Sequence, residues 1–402
     1  MDALSDRGPR GECAASRPPM SSFPSPTSDS GTAPRPAALL TQVAPEPLPE
    51  VPEARQDGLD ILRAAAILPV LLFHAPEKLF LALPPALQHA SRFGWMGVDL
   101  FFVLSGYLIG RQVFSSKAEA PLGTQLRTFW VKRWTRTLPL YFVVLGMYAV
   151  IKPWVFGAPF VGGGWHYALF LQNYGPLRDF VQSWSLCVEE HFYLVLPLLA
   201  FGLRGRKWPA WAWLVPAGLS LLGRALVSRT IPADTPVLEL VPVLQWPTHL
   251  HLDGLGVGVF LARTAPRWKG WRAQWKVMSA VAGLGVLAVT LALCGPTLLG
   301  HARLWVFMGL SVGFGLLLVG MESVRLSSWV RPAVYAVAVT SYGAYLWHGL
   351  VVRVLERTGF TLGWWVADLL AYIGAVLLVS AATYRVVEKP GLRLRRWLLG
   401  SK

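Results

Sequence analysis

The sequence predicts an all-α polytopic membrane protein with about ten transmembrane helices and both termini in the cytoplasm. Of its 402 residues, 54% are apolar and only 15% are charged, whereas soluble proteins carry about 25% charged residues. The apolar residues recur in blocks of roughly 20, which is long enough to cross a hydrocarbon core of about 30 Å. Lys and Arg residues gather between alternate blocks, as the positive-inside rule requires. Together these observations exclude most soluble classes.

The chain divides into an N-terminal tail, a transmembrane domain at 56–396 and a short C-terminal tail at 397–402. Residues 1–55 contain 11 of the 31 prolines together with many Ser and Ala residues, so we expect a disordered cytoplasmic tail. Each later apolar block is justified as a span by its length and by the polar or basic residues that follow it. The blocks lie at 58–76, 95–113, 137–156, 184–203, 210–227, 248–263, 276–294, 303–320, 333–352 and 364–386.

The formal net charge of +15 does not predict binding to nucleic acid. The basic residues lie at the ends of apolar blocks, where they set the orientation of the helices in the membrane. With a cytoplasmic N-terminus, most of them fall on the cytoplasmic side. Membrane lipid is therefore the expected surroundings, and no nucleic-acid partner is expected.

Ionisable residues inside apolar spans are the first candidates for chemistry, because they are costly to place there. Arg63 and His74 are 11 residues apart, which puts them within about 20° of one helical face and about 16 Å apart along the axis. They could line a shared cavity, although a snorkelling arginine and a packing histidine remain alternatives. Arg133 and Arg136 are i, i+3 neighbours whose guanidiniums could bind phosphate oxygens of a cytosolic donor, or simply provide positive-inside charge.

Other spans carry polar residues that could support such a site. Asp99 lies in apolar surroundings in the second span, and Glu189 shares a helical face with Tyr193 at i, i+4. Glu190 points about 100° away, so only one of the two acids can readily face a given cavity. The ninth span carries a polar stripe formed by Ser341, Tyr345 and His348.

A metal site is not expected. His249, His251 and Asp253 lie close in sequence, but a spacing of two places helical histidines on opposed faces. The three cysteines are far apart and form no CxxC pair.

Six motifs in order resemble the acyltransferase-3 family of integral-membrane acyltransferases, over about 58–396. The motifs are the Arg63-x10-His74 spacing, GVDLFFVLSGYLI at 97–109, Arg133-x-x-Arg136 with Pro139, WSLCVEEHFY at 184–193, SYGAYLWH at 341–348 and YRVVEKP at 384–390. The resemblance implies that His74 is the essential histidine, with Arg63 as its first-span partner. It links Arg133 and Arg136 to recognition of the donor.

The resemblance also assigns Glu189 to the acid that follows WSLxV, and Asp253 to the acid of an Asp-x-x-x-x-Gly stretch that ends at Gly258. Glu388 belongs to the YRVVEKP motif. Two positions depart from the family pattern: Lys389 stands where Arg is usual, which loses bidentate geometry, and His251 stands where Arg is common. Nothing after the tenth span resembles the hydrolase-like domain of some members, so a membrane module alone is expected.

The resemblance implies an O-acyltransferase in a bacterial cytoplasmic (inner) membrane. It would transfer a short acyl group, expected to be acetyl, from acyl-CoA to a hydroxyl of an envelope glycan, a glycolipid or a similar acceptor, with no metal. A neutral His74 suits the role of general base. Direct transfer and an acyl-histidine intermediate both remain open. The alternative is a polytopic proton-coupled transporter, which predicts two related halves, and no convincing repeat is visible.

Overall fold

The protein is described here from a computed structural model that covers residues 56–116, 120–160, 164–175, 179–203, 208–232, 235–294 and 302–400. Helices make up 83% of the structure, and the described segments contain no strand. The predicted disordered tail at 1–55 lies outside the described residues. The predicted all-α class is therefore confirmed for the part of the chain that can be described.

The described segments form fifteen α-helices, joined by short loops and 3₁₀ turns. Their bounds are α1 Asp57–Phe73, α2 Glu77–Ala82, α3 Pro85–Ser91, α4 Gly97–Ser115, α5 Leu122–Phe156, α6 Gly164–Ala168, α7 Trp184–Gly202, α8 Val215–Ser228, α9 Val237–Leu244, α10 Asp253–Trp268, α11 Ala273–Cys294, α12 Ala302–Met321, α13 Arg331–Thr358, α14 Trp365–Thr383 and α15 Lys389–Leu399. A π-helical turn at Tyr384–Glu388 connects the last two.

Seven helical segments within the described ranges are long and apolar enough to cross a membrane. They are Pro85–Ser115, Leu122–Pro153, Val181–Gly202, Ala210–Ser228, Ala273–Cys294, Leu304–Met321 and Trp365–Leu399. The predicted total of ten spans is therefore supported only in part. Of the other three predicted spans, α1 has 17 residues and α10 has 16, which is short against the roughly 20 that a span needs. The third, α13, is 28 residues long but carries many polar side chains.

The three exceptions share a position inside the helix bundle. α1 packs against α4 and α13, and α10 packs against α4, α8 and α12. Ala66, Val70 and Leu255 are fully buried, and Ala344 is buried to the same degree on α13. A helix that is surrounded by protein does not need an apolar surface for lipid, so these helices can carry the polar residues that the site requires.

α4 and α10 approach each other closely through glycines. A Cβ atom at Gly106 would overlap the backbone oxygen of Leu255, and one at Gly258 would overlap the backbone of Val103. Small residues at such crossings let two membrane helices pack backbone to backbone. The glycine of the Asp-x-x-x-x-Gly stretch is therefore a packing residue.

The boundaries of three predicted spans need correction. The sixth span was expected at 248–263, but α10 begins at Asp253 and ends at Trp268. The third span was expected at 137–156, but α5 begins at Leu122 and runs for 35 residues, or about 52 Å at 1.5 Å per residue. Arg133 and Arg136 consequently lie within α5 and not at the beginning of a helix. The tenth span was expected to reach 386, whereas the regular helix ends at Thr383 and passes into the π-helical turn.

Candidate active site

A cavity of about 110 Å³ lies among α1, α4, α5, α7 and α13; we call it the arginine cavity. Three arginines line it, one from α1 and two from α5. Its other polar lining comes from hydroxyl groups and a single carboxylate. The polar lining residues are Arg63, Arg133, Arg136, Ser105, Thr137, Ser185, Glu189, Ser341, Tyr342 and Tyr345. Six of the predicted site residues thus meet at one cavity whose lining carries more positive than negative charge.

Arg133 is fixed in place by Tyr193 of the neighbouring helix. Its guanidinium donates a hydrogen bond to the Tyr193 hydroxyl, and its Cζ lies 3.9 Å from the centre of the tyrosine ring. The same hydroxyl shares a hydrogen bond with Ser105 on α4. Glu189 Oε2 lies 3.9 Å from Arg133 Nη2. A guanidinium that is held on several sides keeps one orientation at low entropic cost, which suits recognition of an anion.

Arg136 and Arg63 are more accessible than Arg133. Arg136 is exposed, and the charges of Arg63, Arg133 and Glu388 act on it. The Arg63 side chain is 23% exposed and donates from Nη1 to Asp60 Oδ1 over 3.0 Å. Each of the three arginines has an acid nearby: Asp60 for Arg63, Glu189 for Arg133 and Glu388 for Arg136. Among the residues that line the cavity itself, however, Glu189 is the single acid.

His74 directly follows α1 and forms a pair with His348 of α13. The centres of the two imidazole rings are 4.7 Å apart. His74 Nδ1 lies 2.9 Å from the Val70 carbonyl oxygen, and His348 Nδ1 lies 2.7 Å from the Tyr345 carbonyl oxygen. A carbonyl can only accept, so each Nδ1 carries the hydrogen and each Nε2 keeps its lone pair. This is the tautomer that a general base needs.

The two histidines differ in accessibility. His74 is exposed, whereas His348 is 1% exposed. Tyr345 links the pair to the cavity, because it lines the cavity and its ring centre is 5.7 Å from that of His348. His74 itself is not among the cavity-lining residues. Arg63 and His74 therefore do not line one shared cavity, as their spacing on a helix had suggested.

The model of the acyltransferase-3 family, described as an acyltransferase domain, matches residues 56–385. The chain belongs to this family. No solved structure matches the chain. The family match covers every helix that contributes to the arginine cavity and to the histidine pair.

Within the family, the chain is similar to two curated relatives. It is 25% identical over 372 residues to the peptidoglycan O-acetyltransferase OatA of Listeria monocytogenes, covering 83% of this chain and 55% of the relative. It is 27% identical over 366 residues to the O-acetyltransferase OatA of Staphylococcus aureus, covering 83% and 56%. The chain thus spans little more than half the length of these relatives.

Two of the predicted site residues lie away from the arginine cavity. Asp253 forms two hydrogen bonds of 2.7 Å with the guanidinium of Arg224, and both side chains are completely buried. Asp99 Oδ1 lies 2.9 Å from His251 Nε2, and both of these side chains are also completely buried. His251 in turn donates from Nδ1 to the Gln245 carbonyl over 2.8 Å. These pairs join α4, α8 and α10, and their position fits a structural role.

Arg224 was missed by sequence reasoning, although a signal was present. It is a single charged residue within the apolar block LLGRALVS, and an intramembrane charge of this kind needs a partner. The arginine that resemblance to the family led us to expect at position 251 is replaced by His251. In this structure Asp253 instead pairs with a guanidinium from another helix, that of Arg224 on α8.

Two further acids lie close to the cavity. Glu190 is 5% exposed and accepts hydrogen bonds from Trp134 over 3.1 Å and from Thr137 over 3.2 Å, so it fixes α7 against α5. Glu388 occupies the π-helical turn, and its charge interacts with that of Arg136. π-helical turns frequently occur at functional sites. The turn itself could not be foreseen from the motif YRVVEKP.

Among the described residues, no group of three or more His, Cys, Asp or Glu side chains is arranged to hold a metal ion. The exposed His249 pairs with the Tyr174 hydroxyl over 3.2 Å, while the buried His251 pairs with Asp99. The two histidines of the HLHLDG segment therefore have separate partners.

Proposed function

We propose that this protein is a membrane O-acyltransferase that moves an acetyl group from acetyl-CoA to a hydroxyl of an envelope glycan. The observation that carries the proposal is the combination of three arginines at one cavity with an exposed histidine whose Nε2 is free. Acyl transfer to a hydroxyl needs a proton acceptor and a positive site for the developing oxyanion. The family membership and the names of the relatives support the same reaction.

The arginine cavity suits the donor. Coenzyme A carries phosphates, which guanidiniums bind with charge-assisted hydrogen bonds. A cavity of about 110 Å³ admits a slender chain and excludes a nucleotide. We therefore place the phosphates at the mouth of the cavity, where the exposed Arg136 can reach them. The slender arm runs through the cavity, and its thioester end passes Tyr345 toward His348 and His74.

His74 is the proposed general base. As the acceptor hydroxyl oxygen attacks the thioester carbonyl carbon, His74 Nε2 takes the hydroxyl proton. The carbon–sulfur bond then breaks, and the proton passes from His74 to the departing thiolate of coenzyme A. Arg63 lines the cavity about 16 Å from His74 along α1, so we assign it to positioning the donor and not to the reacting carbonyl. The ring of His348 packs beside His74 and holds it in position. A path through an acyl-histidine uses the same residues.

The expected orientation of the chain in the membrane supports a donor on the cytoplasmic side and an acceptor on the outer side. With the N-terminus in the cytoplasm, as the basic residues indicate, Arg63 lies toward the cytoplasm and His74 toward the outer face. The two residues are about 16 Å apart along α1. We place the protein in the cytoplasmic membrane of a bacterium, with the acceptor glycan outside.

The experiment measures transfer of radiolabel from acetyl-CoA into base-labile products, in membranes that contain the native envelope fraction. The variant is His74→Gln, and the matched control is His89→Gln, because His89 is exposed on α3 away from the cavity. Wild type and His89→Gln should label the glycan, while His74→Gln should lose at least about a hundredfold, the usual share of a general base. Equal labelling by all three proteins would exclude His74 as the base. Absence of label with wild type, with each acyl donor supplied, would favour the transporter alternative.

A further inference from the structure

A pocket of about 450 Å³ lies where α1, α13 and α14 end or begin, beside the short helix α2. We infer that this pocket is the acceptor subsite and that it binds a neutral or amino-bearing sugar unit. The inference rests on the acyl transfer proposed above, and it narrows the acceptor to a chemical class. The volume of the pocket falls within the range of about 300–1,000 Å³ that is typical of small-molecule sites.

The pocket is close to the proposed base. Pro76 and Glu77 line it and follow His74 by two and three residues, so the Cα atoms of His74 and Glu77 are at most about 11 Å apart. Tyr372 connects the two places. It lines the pocket, and its hydroxyl donates to the Leu71 carbonyl in the last turn of α1 over 3.2 Å. A sugar in the pocket would therefore hold its hydroxyls near His74.

Aromatic side chains form the apolar part of the pocket. Phe360, Trp365 and Tyr372 all contribute to its lining. Phe360 is 47% exposed, while Tyr372 is 1% exposed, so the rings extend from the rim to the base. A sugar ring has apolar C–H faces that pack on aromatic rings, and its edge carries hydroxyl groups that need polar partners.

Free carboxylates supply those polar partners. Glu77 and Glu356 line the pocket and are exposed, and neither forms a hydrogen bond or an ion pair with another described residue. A carboxylate accepts hydrogen bonds from two hydroxyls or from an ammonium group. Together with Asp368 they bring three negative charges, against one positive charge from Lys78. The pocket therefore repels phosphate-bearing polymers and favours a neutral or cationic sugar.

The wall of the pocket is held in one conformation. Asp368 accepts from the Leu362 backbone N–H over 2.6 Å and from the Thr361 hydroxyl over 2.8 Å. Gly363, at a φ of 78°, adopts the left-handed region that the loop requires. A preorganised wall lowers the entropic cost of binding a ligand.

The first experiment measures binding to the full-length protein in detergent by isothermal titration calorimetry. The probes are N,N′-diacetylchitobiose, which is neutral, and a glycerol phosphate trimer, which is anionic. We expect the disaccharide to bind wild type more tightly than the trimer does. Trp365→Ala should weaken the disaccharide at least tenfold, whereas the matched control Trp364→Ala should not, because Trp364 is 60% exposed and lies outside the pocket.

A second variant guards against a folding defect in Trp365→Ala. Glu356 is exposed, so Glu356→Gln leaves the packing unchanged and should weaken disaccharide binding several-fold. Tighter binding of the phosphate trimer, or equal disaccharide affinity in wild type and both pocket variants, would overturn the inference.

Transfer assays separate this inference from the proposed function. The pocket variants should raise KM for the glycan acceptor at least about fivefold and leave KM for acetyl-CoA within twofold of wild type. If the wild type transfers acetyl and the pocket variants keep the wild-type KM for the acceptor, the subsite is refuted and the proposed function stands. A wild type that binds the disaccharide but makes no O-acetyl product refutes the function.

Discussion

Removing one partner of the buried pair between Arg224 and Asp253 should destabilise the protein without touching the arginine cavity. Both side chains are fully buried, and two hydrogen bonds of 2.7 Å join them. Asp253→Asn leaves the guanidinium without its counter-ion, and an uncompensated buried charge costs about 3–5 kcal/mol. Replacement of both residues, by Arg224→Met with Asp253→Leu, removes both charges and should restore much of that loss.

The expected shift in the melting temperature follows from the size of the protein. With an unfolding entropy of about 2.1 cal/mol/K per residue over about 330 residues, a loss of about 3–5 kcal/mol lowers the midpoint by about 4–7 °C. The assay is thermal unfolding in detergent, followed by the fluorescence of the 19 tryptophans. The control is Arg229→Met, because Arg229 is exposed and forms no ion pair with another described residue. A surface change of this kind is worth about 0.5 kcal/mol at most, so it should shift the midpoint by no more than about 0.7 °C.

This prediction decides what Asp253 does. If Asp253→Asn melts like wild type but loses acyl transfer, Asp253 acts at the site and the structural interpretation is wrong. A double variant, Arg224→Met with Asp253→Leu, that is less stable than Asp253→Asn would contradict the argument from charge compensation. Recovery of stability together with normal KM for acetyl-CoA would establish the pair as a structural device.

Three further predictions concern the cavity and the helix crossing. Arg136→Ala should raise KM for acetyl-CoA at least about tenfold in steady-state kinetics, since a hydrogen bond to a charged group contributes about 1.5–3 kcal/mol. The control is Arg229→Ala, because Arg229 is exposed. Equal KM values in wild type and Arg136→Ala would count against donor binding at Arg136. Tyr193→Phe removes the hydroxyl that holds Arg133 and should lower kcat/KM for acetyl-CoA by about tenfold on the same scale, an effect that unchanged kinetics would disprove. Gly258→Ala should destabilise the protein by about 1–3 kcal/mol through overpacking, visible as a lower melting midpoint, and a midpoint at the wild-type value would show that α4 and α10 can separate.

The amino-acid sequence by itself determined the class of the protein and the residues worth testing. Hydropathy and charge distribution are local properties, so they indicate membrane helices before any packing is known. Local spacing likewise places Arg133 and Arg136 on one helical face, and it puts Glu189 and Tyr193 one turn apart. The order of six motifs predicted the family, which the match over residues 56–385 confirmed.

Only the tertiary structure decided which of these residues meet. Asp99 and His251 are 152 positions apart, and Arg133 and Tyr193 are 60 apart. Contacts of this kind depend on the rotation and register of packed helices. Close crossings such as the one at Gly258 set that register, and no single segment specifies it. The same packing buries Ser341, Tyr345 and His348 of α13 among neighbouring helices, and the hydropathy of one segment does not reveal such surroundings.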